Sequence, residues 1–272
     1  YLVTAPDGIY VDATFGRGGH ARAILARLGP AGRLIGIDRD PQAMLEARAL
    51  AAADPRSQAI QGTFGDLLRL VEGLGLKGKV QGILLDLGGS SPQLDSPERG
   101  FSFTAEGPLD MRMDPGHGES AAQWLARADQ TEIERVLREL GEERFARRIA
   151  RSILEARAEA PIATTRRLAE IVARSVPTRE PGKHPATRSF QALRIQVNDE
   201  LGELARCLDQ VCDLLAATGR LVVISFHSLE DRIVKRFMRR EARGPELPKG
   251  VPVRADQIHG RLRLVGKPLR PS

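Results

Sequence analysis

Glycines cluster between an apolar run and a helical pattern near the start of the chain, in the motif Asp12-Ala-Thr-Phe-Gly-Arg-Gly-Gly-His20. Glycines at such a turn let a ligand approach the backbone closely, and the start of the helix adds amide donors. Asp38 ends the next apolar run, 20 residues after Gly18. A carboxylate there can accept hydrogen bonds from both hydroxyls of a ribose. The pair predicts a site suited to NAD, FAD or S-adenosylmethionine, with a purely structural turn as the alternative.

A second motif, Asp86-Leu-Gly-Gly-Ser-Ser-Pro-Gln93, follows the apolar run 80–87. In a parallel sheet it would reach the same edge as the glycine motif. Enzymes that methylate amino groups place a short acidic or polar residue beside proline at this point. Acceptors for the N–H bonds orient a conjugated amine and stabilise its developing positive charge. We therefore predict a catalytic role for Asp86, Ser90, Ser91 and Pro92; the alternative is a Ser-Pro turn capped by Asp86.

A third motif, Ser225-Phe-His-Ser228, closes a late apolar run. Phe226 could stack on a base, and His227 or Ser228 could contact substrate or phosphate. A lone histidine is more often a structural hydrogen-bonding residue, so both interpretations of His227 stay open. We retain His227 among the candidate catalytic residues without assigning it the role of an obligatory base.

A fourth motif, Asp110-Met-Arg-Met-Asp114, places two acids around Arg112. The acids could clamp the arginine by ion pairs, or they could shape a pocket for the target. Asp110, Asp114 and His117 do not have the spacing of a metal-ligand set, so no metal is expected.

Positive charge is concentrated in the C-terminal part of the chain. The chain carries 41 Lys and Arg against 35 Asp and Glu, and residues 232–272 hold 12 of the basic residues but only 3 of the acidic ones. Such a segment favours a polyanion such as nucleic acid, with a solvated basic tail as the alternative. Two basic clusters fall at helical spacing: Lys235, Arg236, Arg239 and Arg240 in the first, and Arg144, Arg147, Arg148 and Arg151 in the second.

The elements that position these residues follow from hydropathy. Strands are predicted at 9–13, 34–38, 58–61 and 80–87, with helices at 20–28 and 41–53. Strands that alternate with helices predict βαβ units and a parallel sheet. Residues 120–217 predict helices alone, at 121–139, 141–158, 165–176 and 188–217. A strand at 221–226 and a further helix from Ser228 then follow.

These patterns predict an α/β protein with a helical insertion. The discontinuous α/β domain comprises residues 1–104 and 218–272, and the insertion comprises residues 105–217. Thr131 and Glu134 have the spacing of a capping box, and Ser228 with Asp231 resembles a helix start.

Composition narrows the class of protein. The chain has 272 residues, of which 42% are hydrophobic and 28% charged, as in an ordinary globular protein. No apolar run approaches the length of a membrane span, and no signal peptide is recognised. Two cysteines indicate a reducing compartment, hence the cytosol. With aromatic residues at only 4%, a folded RNA surface with one extruded base is a better partner than an open single strand.

The ordered motifs resemble those of the bacterial 16S rRNA cytosine-N4 methyltransferase family (ribosomal RNA small subunit methyltransferase H, MraW-like). The matching segments are 12–20, 36–41, 86–93, 98–103, 107–115, 141–145, 184–187, 190–194 and 225–232. The similarity covers almost the whole chain, which makes it far more specific than a glycine motif.

The resemblance implies a Rossmann-like S-adenosylmethionine-dependent methyltransferase with a helical, substrate-recognising insertion. It implies N4-methylcytidine at the decoding centre (the P site) as the product and 16S rRNA in the small ribosomal subunit as the partner. It also implies a cytoplasmic location without a membrane. The cofactor-binding residues that it carries over are Gly18, Gly19, His20, Asp38, Phe64, Asp86 and Gln93. The oligomeric state stays open, with a homodimer among the alternatives.

Two departures from the family pattern accompany the resemblance. Gly89 stands where the family usually has valine or a similar residue, and we expect a more flexible loop before Ser90. The family's upstream His-x-Pro-Val-Leu segment and its arginine-rich ending are not present between Tyr1 and Ser272. We therefore expect a chain trimmed at both ends.

Three other functions are compatible with parts of the sequence. A DNA amino-methyltransferase would use the same chemistry, although the insertion and the extent of the resemblance count against it. An NAD-dependent oxidoreductase would suit Asp38, but the tyrosines are Tyr1 and Tyr10, and no Tyr-x-x-x-Lys motif is present. A non-catalytic RNA-binding module would leave the cofactor motif without a purpose.

Overall fold

The computed structural model describes residues 1–177, 182, 184–244, 260–266 and 269, which fall into two compact units. The first unit comprises Tyr1–Asp38, Met44–Leu87 and the described part of Leu201–Ser272. The second comprises Arg39–Ala43 and Gly88–Glu200. The predicted division at residues 104 and 218 stays a prediction.

Strands and helices alternate through the first part of the described chain. The strands are β1 Ile9–Asp12, β2 Arg33–Asp38, β3 Ser57–Gln61, β4 Val80–Asp86 and β5 Leu215–Ile224. The helices are α1 Gly19–Leu25, α2 Pro41–Ala53, α3 Leu67–Glu72, α4 Ser91–Asp95, α5 Ala121–Arg127, α6 Gln130–Gly141, α7 Ala146–Glu159, α8 Thr165–Ser175, α9 Thr187–Asn198, α10 Glu200–Leu214 and α11 Ser228–Arg243.

A parallel sheet forms the centre of the first unit, and its strand order among the described residues is β3-β2-β1-β4-β5. Successive side chains of a strand point to opposite faces. Tyr10 and Leu34 accordingly join one apolar cluster, whereas Val11 and Ile35 join another, and all four are nearly inaccessible to solvent. Burial of both faces explains the near-continuous apolar runs of these strands. The predicted α/β class with a parallel sheet is confirmed.

The second unit is helical and has its own core. Trp124 of α5, Ile133 of α6, Ile149 of α7, Leu168 of α8 and Leu193 of α9 all contribute fully buried side chains to one cluster. Apolar residues recur at helical spacing on each of these helices, so each helix buries one face and exposes the other. The predicted run of helices is therefore present.

The single helix predicted at 121–139 is wrong, because α5 ends at Arg127 and α6 begins at Gln130. Asp129 caps α6 by accepting a hydrogen bond from the backbone N of Glu132, 2.8 Å away. The predicted capping box of Thr131 and Glu134 is also wrong, since both residues lie inside α6. An aspartate in extended conformation outcompetes a threonine two residues later as the first acceptor of the helix.

Two further boundaries differ from the prediction. The helix predicted at 141–158 begins at Ala146, because Glu142 adopts a left-handed conformation with φ 49°. The helix predicted at 188–217 is two helices separated by Asp199, which has the same φ of 49°, and it gives way to β5 at Leu215 rather than Leu221. Left-handed residues end helices at positions that apolar periodicity does not reveal.

Candidate active site

Three carboxylates end neighbouring strands at one edge of the sheet. Asp12 is the last residue of β1, Asp38 of β2 and Asp86 of β4. Asp12 is in register with Gly36 of β2 and with Leu84 of β4. The carboxyl edge of a parallel sheet is where ligands bind, and the sequence-predicted pair Asp38 and Asp86 lies on it.

The glycine turn between β1 and α1 is held to β2. The backbone N of Gly16 donates to Oδ2 of Asp38 over 2.8 Å. Gly18 caps α1 with a φ of 72°, and a Cβ on it would lie 2.6 Å from Cζ of Phe15. A Cβ on Gly19 would meet no atom within 4 Å. Gly18 is thus required by the backbone, whereas Gly19 borders open space.

Asp12 is a site residue to which the sequence analysis assigned no role. Its side chain is fully buried, and Oδ1 accepts a hydrogen bond from the backbone N of Thr14. Oδ2 is buried and has no hydrogen-bond partner among the described residues. Burial raises the pKa of Asp12 to about 7, and the charges of Asp38 and Asp86 act in the same direction. The signal in the sequence is its position at the end of a strand, which it shares with Asp38 and Asp86.

Asp86 is held by the glycine motif. Its backbone N donates to Oγ1 of Thr14 over 2.7 Å, and its Oδ2 lies 3.3 Å from Nε2 of His20. Oδ1 has no hydrogen-bond partner among the described residues. Burial raises the pKa of Asp86, the nearby His20 opposes that rise, and the charge of Glu230 adds to it. The structure therefore brings His20 and Asp86 together, as the motifs suggested.

Phe64 begins a 3-10 helix, Phe64–Asp66, just after β3. The neighbouring Gly65 is fixed because its backbone N donates to Oε2 of the buried Glu203, 2.8 Å away. The backbone N of Gly62 donates to the carbonyl of Asp38 over 2.9 Å, which ties this segment to the end of β2. An aromatic residue thus follows β3 in a segment that is bound to the end of β2, and such a ring could stack on a planar ligand group.

His227 caps helix α11. Its Nδ1 lies 3.5 Å from the backbone N of Glu230, and its Nε2 lies 3.1 Å from Oε1 of Glu230, an electrostatic contact without hydrogen-bond alignment. Glu230 is buried, and its Oε2 accepts a hydrogen bond from the backbone N of Phe226. Helix α11 begins at Ser228, as predicted, but His227 and Glu230 cap it in place of Ser228 and Asp231. Phe226 is 70% exposed.

Ser90, Ser91 and Pro92, which are predicted to be catalytic together with Asp86, belong to the second unit, where they form the start of α4. Ser90 and Gln93 form a capping box in which the backbone N of Ser90 donates to Oε1 of Gln93. The other end of that amide, Nε2, donates to the buried Asp40 over 2.9 Å, so the side chain of Gln93 serves local structure. Ser91 and Pro92 occupy the first turn of the helix. A Cβ on Gly89 would meet only ordinary contacts, so the site tolerates the family's larger residue.

Several of the remaining candidate residues form ion pairs within the protein. Asp110 binds Arg112 through both carboxylate oxygens, whereas Asp114 contacts His117, so a clamp on Arg112 by both acids is wrong. In the first basic cluster, Lys235 pairs with Asp231, and Arg240 pairs with Asp209 and Glu241.

Within the described ranges no group of three or more His, Cys, Asp or Glu side chains could hold a metal ion. None of the described helices combines the length and the apolar character that crossing a membrane requires.

Comparison with known proteins places the chain in a sequence family. The model of the MraW methylase family matches residues 1–272. Ribosomal RNA small subunit methyltransferase H of Thioalkalivibrio sulfidiphilus (strain HL-EbGR7) is 61% identical over 270 residues, which cover 99% of this chain and 86% of that protein.

Solved structures show only distant similarity. Fibrillarin of Aeropyrum pernix with bound S-adenosylmethionine is 18% identical, with a TM-score of 0.26 over 37% of this chain and 40% of that one. Geranyl diphosphate methyltransferase in complex with SAM is 14% identical, with a TM-score of 0.26 over 86% of this chain and 74% of that one. At these TM-scores the two structures add nothing to the assignment.

Proposed function

The chain belongs to the MraW methylase family, and on that premise we propose that it methylates N4 of a decoding-centre (P-site) cytidine in 16S rRNA, with S-adenosylmethionine as the methyl donor. The observation that carries the proposal is the meeting of Asp12, Asp38 and Asp86 with the glycine turn at one sheet edge. Such an edge suits a nucleoside-containing cofactor. The 61% identical relative, a ribosomal RNA small subunit methyltransferase by name, supports rRNA as the substrate.

The residues at this edge fit the cofactor. Open space at Gly19 leaves room for a ligand against the start of α1. Oδ2 of Asp12 and Oδ1 of Asp86 are buried oxygen atoms without hydrogen-bond partners among the described residues, and a ligand with polar groups would satisfy such atoms. S-adenosylmethionine, when bound, supplies a methyl group activated on a positively charged sulfur.

Individual residues would hold separate parts of that cofactor. Asp38 would accept hydrogen bonds from the ribose hydroxyls, because a carboxylate is a strong acceptor for two adjacent donors. Phe64 would pack on the adenine. Gly18, Gly19 and His20 would line the remainder beside the first turn of α1. The role proposed for Gln93 in this pocket competes with its bonds to Ser90 and Asp40.

Asp86 would act on the amine of the target. The amine of cytosine is conjugated with its ring, so it is a poor nucleophile. A carboxylate that accepts an N–H bond orients the nitrogen and stabilises positive charge as it develops. When N4 gains the methyl group it must lose one proton, and Asp86 can accept that proton. Burial raises its pKa and so makes it a better proton acceptor, while the contact with His20 opposes that rise.

The neighbouring motif residues complete the proposal. Ser90, Ser91 and Pro92 follow Asp86 by four to six residues, and their turn would help to orient the cytosine amine. His227 fixes the start of α11 through Glu230, so its contribution would be to position the exposed Phe226 near the end of β5. The helical insertion, placed at residues 105–217 from sequence, would recognise the rRNA, in a cytoplasmic reaction on the small ribosomal subunit. A homodimer stays a prediction.

Product identity tests the proposal. The protein is incubated with S-adenosylmethionine labelled in its methyl group and with either 16S rRNA or small ribosomal subunits that lack the modification. Nuclease digestion and mass spectrometry then locate the label, which we expect as N4-methylcytidine at one decoding-centre position. We expect Asp86→Asn to slow transfer roughly 100-fold or more, as loss of a proton-transfer group typically does. Label on another base, or undiminished transfer by Asp86→Asn, would contradict the proposal.

A further inference from the structure

A stripe of arginines lies on the exposed side of α7 in the second unit. Arg147, Arg148 and Arg151 are in the helix, Arg144 lies in the turn before it, and all four are solvent-exposed. Residues three and four positions apart share one helix face, so the spacing puts all four on one surface. Together they line a concave region with a volume of about 810 Å³, beside Phe145 and Leu154.

Most of this charge is not neutralised by the protein. Arg151 pairs with Glu155 over 2.8 Å, but Arg144, Arg147 and Arg148 have no ion pair within the described part of the chain. Other exposed arginines of the same unit do have partners. Arg135, Arg138 and Arg174 each pair with a glutamate four residues away in their own helix.

Helix stability does not account for the stripe. Arg147 and Arg148 lie in the first turn of α7, which contains no acidic residue. The start of a helix carries a partial positive charge, so cations are unfavourable there. Like charges three or four residues apart repel one another as well. An arrangement that costs stability in the isolated protein and forms a concave surface indicates an anionic partner.

We infer that Arg144, Arg147, Arg148 and Arg151 form a surface that binds RNA phosphates, separate from the cofactor site. The stretch from Arg144 to Arg151 comprises seven residue steps, about 10.5 Å at the rise of a helix, which is long enough to contact more than one phosphate of an RNA strand. The guanidinium fork binds phosphate oxygens bidentately. The inference rests on the proposed function, because it takes the anion to be small-subunit rRNA.

Salt dependence of RNA binding tests the inference. The triple variant Arg144→Gln/Arg147→Gln/Arg148→Gln is compared with Arg135→Gln/Arg138→Gln/Arg174→Gln, which loses the same charge from paired arginines of the same unit. The probe is a fluorescein-labelled transcript of the decoding region of 16S rRNA, titrated by anisotropy between 50 and 200 mM KCl. The slope of log affinity against log salt should lessen by about 2 in the stripe variant, since each phosphate contact contributes about 0.7–0.9.

The control should retain the wild-type slope, and both variants should keep the wild-type affinity for S-adenosylmethionine. The melting temperature of the stripe variant should equal or exceed that of the wild type, because the substitutions remove positive charge from the start of α7. We expect RNA affinity of the stripe variant to fall about tenfold or more at the lower salt. Equal losses of RNA affinity in both variants would mean that net charge alone causes the effect, and this result would overturn the inference. An unchanged slope in the stripe variant would also overturn the inference. This holds even if that variant binds an acidic ribosomal protein more weakly than the wild type does.

Methyl transfer separates this inference from the proposed function. If the wild-type protein binds the transcript through the stripe but forms no N4-methylcytidine in rRNA or subunits, the proposed function fails while the phosphate surface stands. If methylation proceeds and the stripe variant binds RNA as the wild type does, the inference alone fails.

Discussion

Nε2 of His20 lies 3.3 Å from Oδ2 of Asp86, so the first turn of α1 faces the carboxylate that ends β4. Burial raises the pKa of Asp86, and the histidine opposes that rise. The contact therefore favours the ionised form of Asp86, which can accept a hydrogen bond from an amine, against the effect of burial.

Replacement of His20 tests that relationship. In His20→Ala the pKa of Asp86 should rise further, because the opposing charge is lost while the burial stays. The acidic limb of the methyl-transfer rate should then move to higher pH, as measured between pH 5 and pH 9. His117→Ala removes an exposed histidine that contacts Asp114, and serves as the control with an unmoved profile. An identical acidic limb in His20→Ala would show that His20 does not tune Asp86.

Asp38→Ala should weaken binding of S-adenosylmethionine by about 1.5–3 kcal/mol, the value of hydrogen bonds to a charged group. The variant also loses the acceptor for the backbone N of Gly16, so Asp38→Asn, which keeps an oxygen acceptor, should weaken binding less. Titration calorimetry measures both affinities. Glu72→Ala removes an exposed acid of the same unit that pairs with Lys77, and should bind as the wild type does. Unchanged affinity in Asp38→Ala would remove Asp38 from the cofactor site.

Gly18 and Gly19 differ in what they contribute. Gly18→Ala should destabilise the fold by about 1–3 kcal/mol, because Gly18 has a φ of 72° and its Cβ would clash with Phe15. Gly19→Ala should fold normally, since its Cβ meets no atom within 4 Å. It should weaken cofactor binding, because the added methyl group occupies the open space proposed for the cofactor. Urea denaturation and calorimetry separate the two effects. Normal cofactor affinity in Gly19→Ala would place the ligand elsewhere.

Asp12 makes stability depend on pH. Its pKa is raised by burial from 3.8 to about 7, so between these values the folded chain holds a proton that the unfolded chain has released. The free energy of unfolding contributed by this group is therefore greatest below about pH 4 and falls as pH rises to about 7. The slope is at most about 1.4 kcal/mol per pH unit for one proton.

Asp12→Asn should flatten that part of the stability profile, because the amide does not titrate. Urea denaturation without cofactor between pH 4.5 and pH 8 gives both curves. We expect the stability of the wild type relative to the variant to decline across this range. Parallel curves would mean that the pKa of Asp12 in the folded protein is that of an ordinary carboxylate.

Asp129 and Thr131 provide a test of the boundary between α5 and α6. Asp129→Ala should lower stability by about 0.5–2 kcal/mol, since it removes the cap of α6. Thr131→Ala lies within the exposed first turn and should change stability by about 0.5 kcal/mol or less. Thermal denaturation measures both variants. A larger loss of stability in Thr131→Ala than in Asp129→Ala would favour the capping box of Thr131 and Glu134 that the sequence predicts.

The alternation of strands and helices and the glycine turn could be predicted from the amino-acid sequence alone. The same holds for the placement of Asp38 and Asp86 at strand ends. These features follow from local rules: apolar periodicity, turn residues and offsets along the chain. Helix α2 runs from Pro41 to Ala53, as the proline and the alanine-rich pattern predicted. The family assignment also came from ordered motifs and did not need the fold.

Which of those residues act together depends on the folding of the whole chain. The protonation of Asp12 depends on burial and on the charges of Asp38 and Asp86. The capture of Gln93 by Asp40 spans 53 residues. Glu230 makes local contacts with Phe226 and His227, but its burial exists only in the folded chain. Desolvation and long-range contacts exist only in the folded chain, so no local pattern could have assigned these roles.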